Sequence, residues 1–149
     1  MEENKNPQVT NELIPGKTTH ENVLVPCVGG FSNTGMTTVL ATLEVIKELG
    51  LSKVSDVCIT SIPLHIPTVD AKIKAAKKII SIDGCANMCA KRLLEKEGYK
   101  VSSEIVLGKD IEMTKIPFNK AMDKPIMEIL KEEEIAKAKE LIISKLNEE

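Results

Sequence analysis

The feature that most constrains the fold is a repeated alternation of short apolar strands, glycine-bearing turns and helical segments between residues 22 and 107. The apolar runs predict strands at 22–27, 57–62, 78–82 and 101–107. Helical periodicity predicts helices at 34–49, 68–76 and 87–97, the second of them capped by Thr68. Strands that alternate with helices are typical of a parallel sheet covered on both faces. We therefore predict an α/β protein, a small three-layer Rossmann-like fold with a mainly parallel sheet of about four strands and a C-terminal helix.

The two ends of the chain differ in character from this repeat. Residues 1–21 are polar and broken by two prolines and a glycine, so they are interpreted as an N-terminal leader. Residues 22–149 are expected to form a single α/β domain, with a core at 22–109 and a C-terminal loop and amphipathic helix at 110–149. The apolar stripe of the predicted helix 127–146 suits either docking on the sheet or binding another protein.

Composition narrows the function classes. Hydrophobic residues make up 42% of the chain but aromatic residues only 2%, and the net charge is −2, so a basic aromatic surface for nucleic acid is not expected. No apolar run approaches the roughly 18 residues of a membrane span. The first residues lack the basic and then apolar order of a signal peptide, so a cytoplasmic protein without membrane contact is expected.

The four cysteines follow the spacing Cys-x30-Cys-x26-Cys-x3-Cys. Cys27 and Cys85 follow predicted strands, and Cys89 is expected on the first turn of the next helix, on the same face as Cys85. In open α/β sheets, ligands bind beyond the carboxyl ends of the strands, so these three thiols are expected to converge there. Cys58 lies within the predicted second strand and can join them if that strand is short.

This pattern leaves three interpretations open: a metal site, a redox pair at Cys85 and Cys89, or buried inert thiols. Four thiolates suit tetrahedral zinc or an iron–sulfur cluster. Positive potential for such a site would come from a helix N-terminus, with Lys91 and Arg92 as further cations. His65 is a possible accessory ligand or an ordinary loop histidine. Asp83 is a possible accessory residue or an ordinary cap.

The turn after the first strand matches the phosphate-loop pattern G-x-x-x-x-G-K-[ST] except that Met36 replaces the lysine. The missing lysine makes nucleotide hydrolysis improbable, although backbone amides at the turn could hold an anion. The possible anion-binding residues are Gly30, Ser32, Asn33, Thr34 and Gly35. The alternative is a tight turn in which residues 32–34 cap the following helix.

Three segments carry a family resemblance: Pro26-Cys27-Val28-Gly29-Gly30 followed by Ser32-Asn33-Thr34-Gly35, Cys58 ahead of His65-Ile66-Pro67, and Ile82-Asp83-Gly84-Cys85-Ala86-Asn87-Met88-Cys89-Ala90. Together they resemble the DGC-domain family, named for its Asp-Gly-Cys motif, over roughly residues 22–109. The chain departs at Val28, where the family usually has a small residue such as serine.

The resemblance implies a small prokaryotic protein that binds zinc through four cysteines, which correspond here to Cys27, Cys58, Cys85 and Cys89. It implies no reaction, and no Ser/His/acid set or carboxylate pair stands out in the sequence. We therefore expect a metal-binding protein with a structural, metal-handling or docking role rather than an enzyme. The alternative is an iron–sulfur or thiol redox protein that passes electrons to a partner. A phosphate-binding α/β module ranks third.

Overall fold

A computed structural model describes residues 20–29 and 32–149. Four strands form one sheet: β1 (Asn22–Pro26), β2 (Val54–Asp56), β3 (Lys78–Asp83) and β4 (Ser103–Val106). Their order is β2-β1-β3-β4, and all three pairings are parallel. The predicted α/β class and four-stranded parallel sheet are therefore confirmed. Nearly all of the polar leader assigned to residues 1–21, and Gly30, lie outside the described residues.

Helices cover both faces of the sheet. The longer elements are α1 (Asn33–Leu49), α2 (Pro67–Ala75), α3 (Cys89–Lys96) and α6 (Glu132–Asn147), with single turns at α4 (Leu107–Asp110) and α5 (Ile126–Ile129). Alternate residues of a strand point to opposite faces. Leu24 packs with α1 and α6, whereas its neighbours Val23 and Val25 pack with α2 and α3. The result is the three-layer arrangement that the sequence predicts.

The two apolar clusters account for this layering. One lies beneath α1 and α6 and consists of Leu24, Ala41, Val45, Val54, Ile80, Ile82, Ile105, Leu107, Met113, Ile135, Ala138 and Ile142. The other lies beneath α2 and α3 and consists of Val23, Val25, Val57, Ile62, Ile73, Ile79, Ala90 and Leu94. The apolar stripe of the C-terminal helix is thus buried against α1 and the sheet. No helix in the described part of the chain is both long and apolar enough to cross a bilayer.

The second strand lies earlier than predicted. The sequence placed it at 57–62, but β2 ends at Asp56 and residues Ile59–Ser61 form a 3-10 turn. Val57 still donates its N–H to the carbonyl of Leu24 at 3.0 Å, so the pairing stops there. The apolar residues Val57 and Ile62 are buried although they do not belong to a strand. Their β-branched side chains favour strands only weakly, and packing in the folded protein can override that preference.

Helix boundaries also differ from the prediction. Ile66 rather than Thr68 caps α2, with Pro67 at its first position, where the missing N–H is tolerated. Met88 adopts a left-handed conformation at φ 50°, so α3 begins at Cys89 and not at residue 87. The single C-terminal helix predicted at 127–146 is divided into α5 and α6, with extended backbone at Leu130 and Lys131 between them.

The strand order creates a crevice. From β1 the chain crosses to β2 on one side, whereas from β3 it crosses to β4 on the other. Beyond the carboxyl ends of β1 and β3 the connecting loops therefore diverge to opposite faces of the sheet. Such a switch point is where open α/β sheets bind ligands.

Candidate functional site

A cavity of about 200 Å³ occupies this switch point. Its lining comes from the turn after β1, the start of α1, the turn after β3 and a later loop: Cys27, Gly29, Ser32, Thr34, Gly35, Gly84, Cys85, Asn87, Cys89 and Lys115. We call it the thiol cavity. Three of the four cysteines share it although they come from two different strand–helix connections.

Each of these cysteines is placed by an ordinary feature of the fold. Cys27 directly follows β1 and continues its pairing, since its N–H donates to the carbonyl of Ile82 at 2.8 Å. The hydroxyl of Thr38 in α1 donates to the Cys27 carbonyl at 2.9 Å. Cys85 lies in the turn after β3 and Cys89 is the first residue of α3. The expectation that Cys85 and Cys89 share a helix face is therefore wrong, because a turn brings them into the same cavity.

Two glycines allow the cavity walls to touch. A Cβ on Gly35 would lie 2.2 Å from the carbonyl oxygen of Gly29. A Cβ on Gly84 would lie 2.7 Å from the carbonyl carbon of Thr34, in the backbone of α1. Neither position has room for a side chain, so both turns press directly against the N-terminus of α1.

The Cys27 thiol is held in its neutral form. Partial burial is the main cause that raises the pKa of Cys27 to about 11, and the electrostatic influence of Asp83 and Cys89 acts in the same direction. A hydrogen bond from the backbone of Gly29 opposes this shift. A ligand that carries positive charge would reverse the electrostatic cost of ionising this thiol.

Asp83 is engaged by the start of α3. Its carboxylate accepts hydrogen bonds from the backbone N–H groups of Ala90 at 2.8 Å and Lys91 at 3.2 Å. The residue is buried, and burial raises its pKa while the two N–H groups oppose the shift. These contacts give Asp83 the role of a helix cap and leave its charge close to Cys27.

Lys115 supplies the cation that the sequence assigned to Lys91 and Arg92. Its Nζ donates to Sγ of Cys85 at 3.9 Å. Lys91 instead forms ion pairs with Glu95 and Glu104. Arg92 faces a carbonyl in the turn after β3. Sequence reasoning missed Lys115 because its only signal is a lysine in a loop after the last strand.

Asn33 fixes the loop that carries Lys115. Its side chain donates to the carbonyl of Thr114 at 2.9 Å and accepts from the N–H of Ile116 at 2.7 Å. A bridge between Ser32 and Pro117 extends this contact. Asn33 was proposed as an anion ligand, but its polar atoms are directed to this loop.

The other proposed anion-binding residues are partly engaged as well. Ser32 accepts a hydrogen bond from the N–H of Gly35 at 3.4 Å and so caps α1. The hydroxyls of Ser32 and Thr34 lie 3.1 Å apart. Ser32, Thr34 and Gly35 nevertheless line the thiol cavity, so this turn forms one of its walls.

Cys58 stands apart from the other three cysteines. It is exposed and does not line the thiol cavity, although it follows β2 at the same edge of the sheet. Its Sγ lies 3.0 Å from the hydroxyl of Thr60. This hydrogen bond, with help from backbone N–H groups, lowers the pKa of the Cys58 thiol.

His65 belongs to a different part of the molecule. Its two ring nitrogens face Asp70 at 3.3 Å and Glu97 at 2.7 Å, and the hydroxyl of Tyr99 donates to Asp70 at 2.5 Å. We call these four residues the His65 cluster. None of them lines the thiol cavity. Across residues 20–29 and 32–149, no three His, Cys, Asp or Glu side chains are grouped so that they could hold a metal ion.

The fold and the cavity define an α/β protein with a cysteine-lined switch point. Its sequence matches the DGC domain family over residues 23–137, and the chain belongs to that family. The match extends beyond residue 109, where the sequence resemblance ended, and includes Lys115 and the beginning of α6. Neither the curated proteins nor the solved structures contain a significant match.

Proposed function

We propose that this protein binds zinc through Cys27, Cys85 and Cys89. The observation that carries the proposal is that these three thiols line one cavity at the switch point of the sheet. Four cysteines and membership of the DGC domain family are compatible with a metal-binding role. Thiolate sulfurs are the ligands that zinc and other borderline or soft ions prefer.

The three cysteine sulfurs are chemically suitable ligands for zinc. Cys27, Cys85 and Cys89 line the same cavity, and the Sγ of Cys85 accepts a hydrogen bond from Lys115. The ammonium of Lys115 and the N-terminus of α3 would partly offset the negative charge of three thiolates.

Cys58 is the fourth ligand that the sequence predicts. In the structure it lies outside the cavity, so three thiols are supported more strongly than four. Structural zinc sites usually have four protein ligands, and sites with three leave one position for water or another ligand. Binding measured with Cys58→Ser separates these two ligand sets.

The proposed role is to hold or hand over metal, in the reducing environment of the cytoplasm where four free thiols persist. Two observations support a binding role over catalysis. Asp83, the carboxylate nearest Cys27, is occupied as a helix cap. Neither histidine lines the thiol cavity. The cavity thus offers sulfur donors rather than an acid–base pair.

A thiol redox function is the second candidate, favoured by the placement of the Cys27 and Cys89 thiols in one cavity. Loss of two electrons and two protons to an oxidant would join them as a disulfide. An iron–sulfur cluster bound by the same thiols is a further form of this alternative.

Metal analysis of protein purified without oxygen tests these functions against one another. Zinc binding predicts about one colourless equivalent per chain. Iron with labile sulfide and visible absorption would support the cluster instead. Absence of both metals, with a Cys27–Cys89 disulfide formed reversibly in peptide mass spectra, would replace the zinc proposal with the redox function.

A further inference from the structure

A second cavity of about 300 Å³ adjoins the thiol cavity. It lies beyond the carboxyl ends of β3 and β4 and is lined by Gly84, Cys85, Ala86, Val106, Gly108, Lys109, Met113 and Lys115. Gly84, Cys85 and Lys115 line both cavities. We call the second cavity the lysine pocket. Cys85 thus stands at the boundary between the two spaces.

The charge of the lysine pocket is positive. Lys109 and Lys115 both line it, and within the described part of the chain neither forms an ion pair with a carboxylate. Two acids lie between them in sequence: Asp110, which accepts a hydrogen bond from the N–H of Val106 at 2.7 Å, and Glu112, which does not line the pocket. Two lysine side chains without a carboxylate partner attract an anion from solution.

The remaining walls are largely apolar. They include Val106 and Met113, which are buried core residues, and Ala86. The N–H of Gly108 is already bonded to the carbonyl of Gly84 at 3.2 Å, so this backbone offers little to a polar ligand. Cationic groups beside apolar walls suit a small molecule that has a charged end and a short hydrocarbon body.

We propose that the lysine pocket binds a small organic anion. Its charged group pairs with Lys109 and Lys115, and its apolar portion packs on Val106 and Met113. The bound molecule lies against Cys85, so it reaches the thiol cavity. This inference does not depend on metal in the thiol cavity, because Lys109, Val106 and Met113 line only the lysine pocket.

Titration of the protein as purified with butyrate tests the charge requirement. Butyramide is the matched probe because it has the same size and no charge. We expect butyrate to shift the NMR signal of the Met113 methyl group in a saturable manner, and Lys109→Gln to weaken binding by about two- to fivefold, the range of one exposed ion pair. Lys137→Gln removes an exposed lysine of α6 and should leave binding unchanged.

Alkylation after removal of any bound metal with a chelator tests whether the lysine pocket opens on Cys85. Iodoacetate is an anion and iodoacetamide is neutral, and both convert a thiolate to a thioether with release of iodide. Peptide mass spectrometry gives the ratio of the two rates at each cysteine. We expect the ratio at Cys85 to exceed that at exposed Cys58 and to fall in Lys109→Gln. Excess butyrate should protect Cys85 from iodoacetate.

Three results would overturn the proposal: equal shifts with butyramide, unchanged butyrate affinity in Lys109→Gln, or equal rate ratios at Cys85 and Cys58. Inorganic phosphate is the third probe, and saturation by phosphate but not by butyrate would also contradict an organic ligand. The zinc proposal fails by a different measurement, the metal content. If the protein contains no zinc but still binds butyrate, the zinc proposal fails and the proposal for the lysine pocket stands.

Discussion

The thiol cavity and the His65 cluster each gather titratable side chains from several elements, but they satisfy them differently. In the His65 cluster both ring nitrogens and the Tyr99 hydroxyl face carboxylates at 2.5–3.3 Å. In the thiol cavity Cys85 contacts Lys115 only at 3.9 Å, and Cys27 is held neutral by burial and nearby negative charge. Polar groups that have hydrogen-bond partners within the protein stabilise the fold, whereas groups that lack such partners can bind a ligand.

Residue type alone would have assigned these roles differently. A histidine with two acids is a familiar ligand set, yet the carboxylates stand on opposite sides of the ring. The thiol cavity has a less familiar set of side chains than the His65 cluster, but it lies at the switch point of the sheet. The comparison shows that two features identify the candidate site: its location at the switch point of the sheet, and side chains with few hydrogen-bond partners.

The largest expected effect is loss of metal when the thiol cavity is changed. Cys85→Ser should reduce bound zinc from about one equivalent per chain to near zero, because the hydroxyl is a poor zinc ligand. Metal analysis of the purified variant measures this. His65→Ala is the matched change in the His65 cluster and should retain the metal. Full zinc occupancy in Cys85→Ser would show that the thiol cavity is not the metal site and would contradict its contrast with the His65 cluster.

The next effect concerns the close packing beneath the cavity. Gly84→Ala places a Cβ 2.7 Å from the backbone of Thr34. We expect this to lower the free energy of unfolding by about 2–3 kcal/mol, since backbone must move to relieve the clash. Urea denaturation gives the value. Gly108→Ala is the control, because the nearest atom lies 3.4 Å away. Equal stability of the two variants would show that the turn has more room.

The general arrangement of the sheet was predictable because apolar periodicity and glycine turns report local structure. β1, β3 and α1 lie close to their predicted positions, and their order places Cys27 and Cys85 at one edge. β2 was not predictable in the same way. Its three residues are fewer than the apolar run that follows, and the buried residues Val57 and Ile62 flank a 3-10 turn at Ile59–Ser61 rather than lying in a strand.

The contents of the site were harder to predict than its location. Lys115 reaches Cys85 across 30 positions of sequence, through a loop with no periodicity. The left-handed residue Met88 shortens α3 although it is not a glycine. The position of Lys115 depends on tertiary contacts, among them the bonds from Asn33 to Thr114 and Ile116. Local patterns carry no information on contacts of that kind.

Asn33 offers a test of this tertiary contact. Asn33→Ala removes two hydrogen bonds to the loop that carries Lys115. We expect a loss of about 1–2 kcal/mol in the free energy of unfolding, since two part-buried backbone groups lose their partners. Urea denaturation measures this loss. Asn119→Ala, at an exposed position, is the control. An unchanged stability would show that the loop is held by other contacts.

The His65 cluster can be probed through Tyr99, the only tyrosine in a chain without tryptophan. Partial burial and the hydrogen bond to Asp70 raise its pKa to about 12. Absorbance of the tyrosinate during a pH titration reports this pKa directly. Asp70→Asn should move the midpoint down toward the ordinary value of 10.0, because it removes the nearby negative charge. A midpoint near that ordinary value in the unaltered protein would contradict the contact.

The smallest effect is on stability at high pH. Because the pKa of Tyr99 is higher in the folded chain than in the unfolded chain, its contribution is fully present below about pH 10 and is lost as the pH rises toward about 12. Tyr99→Phe should therefore cost about 1 kcal/mol at neutral pH, and less as the pH rises through that window. Parallel urea denaturation of both proteins measures the difference, in which the titration of the lysines cancels. A difference that stayed constant up to about pH 12 would show that the hydroxyl does not stabilise the fold through Asp70.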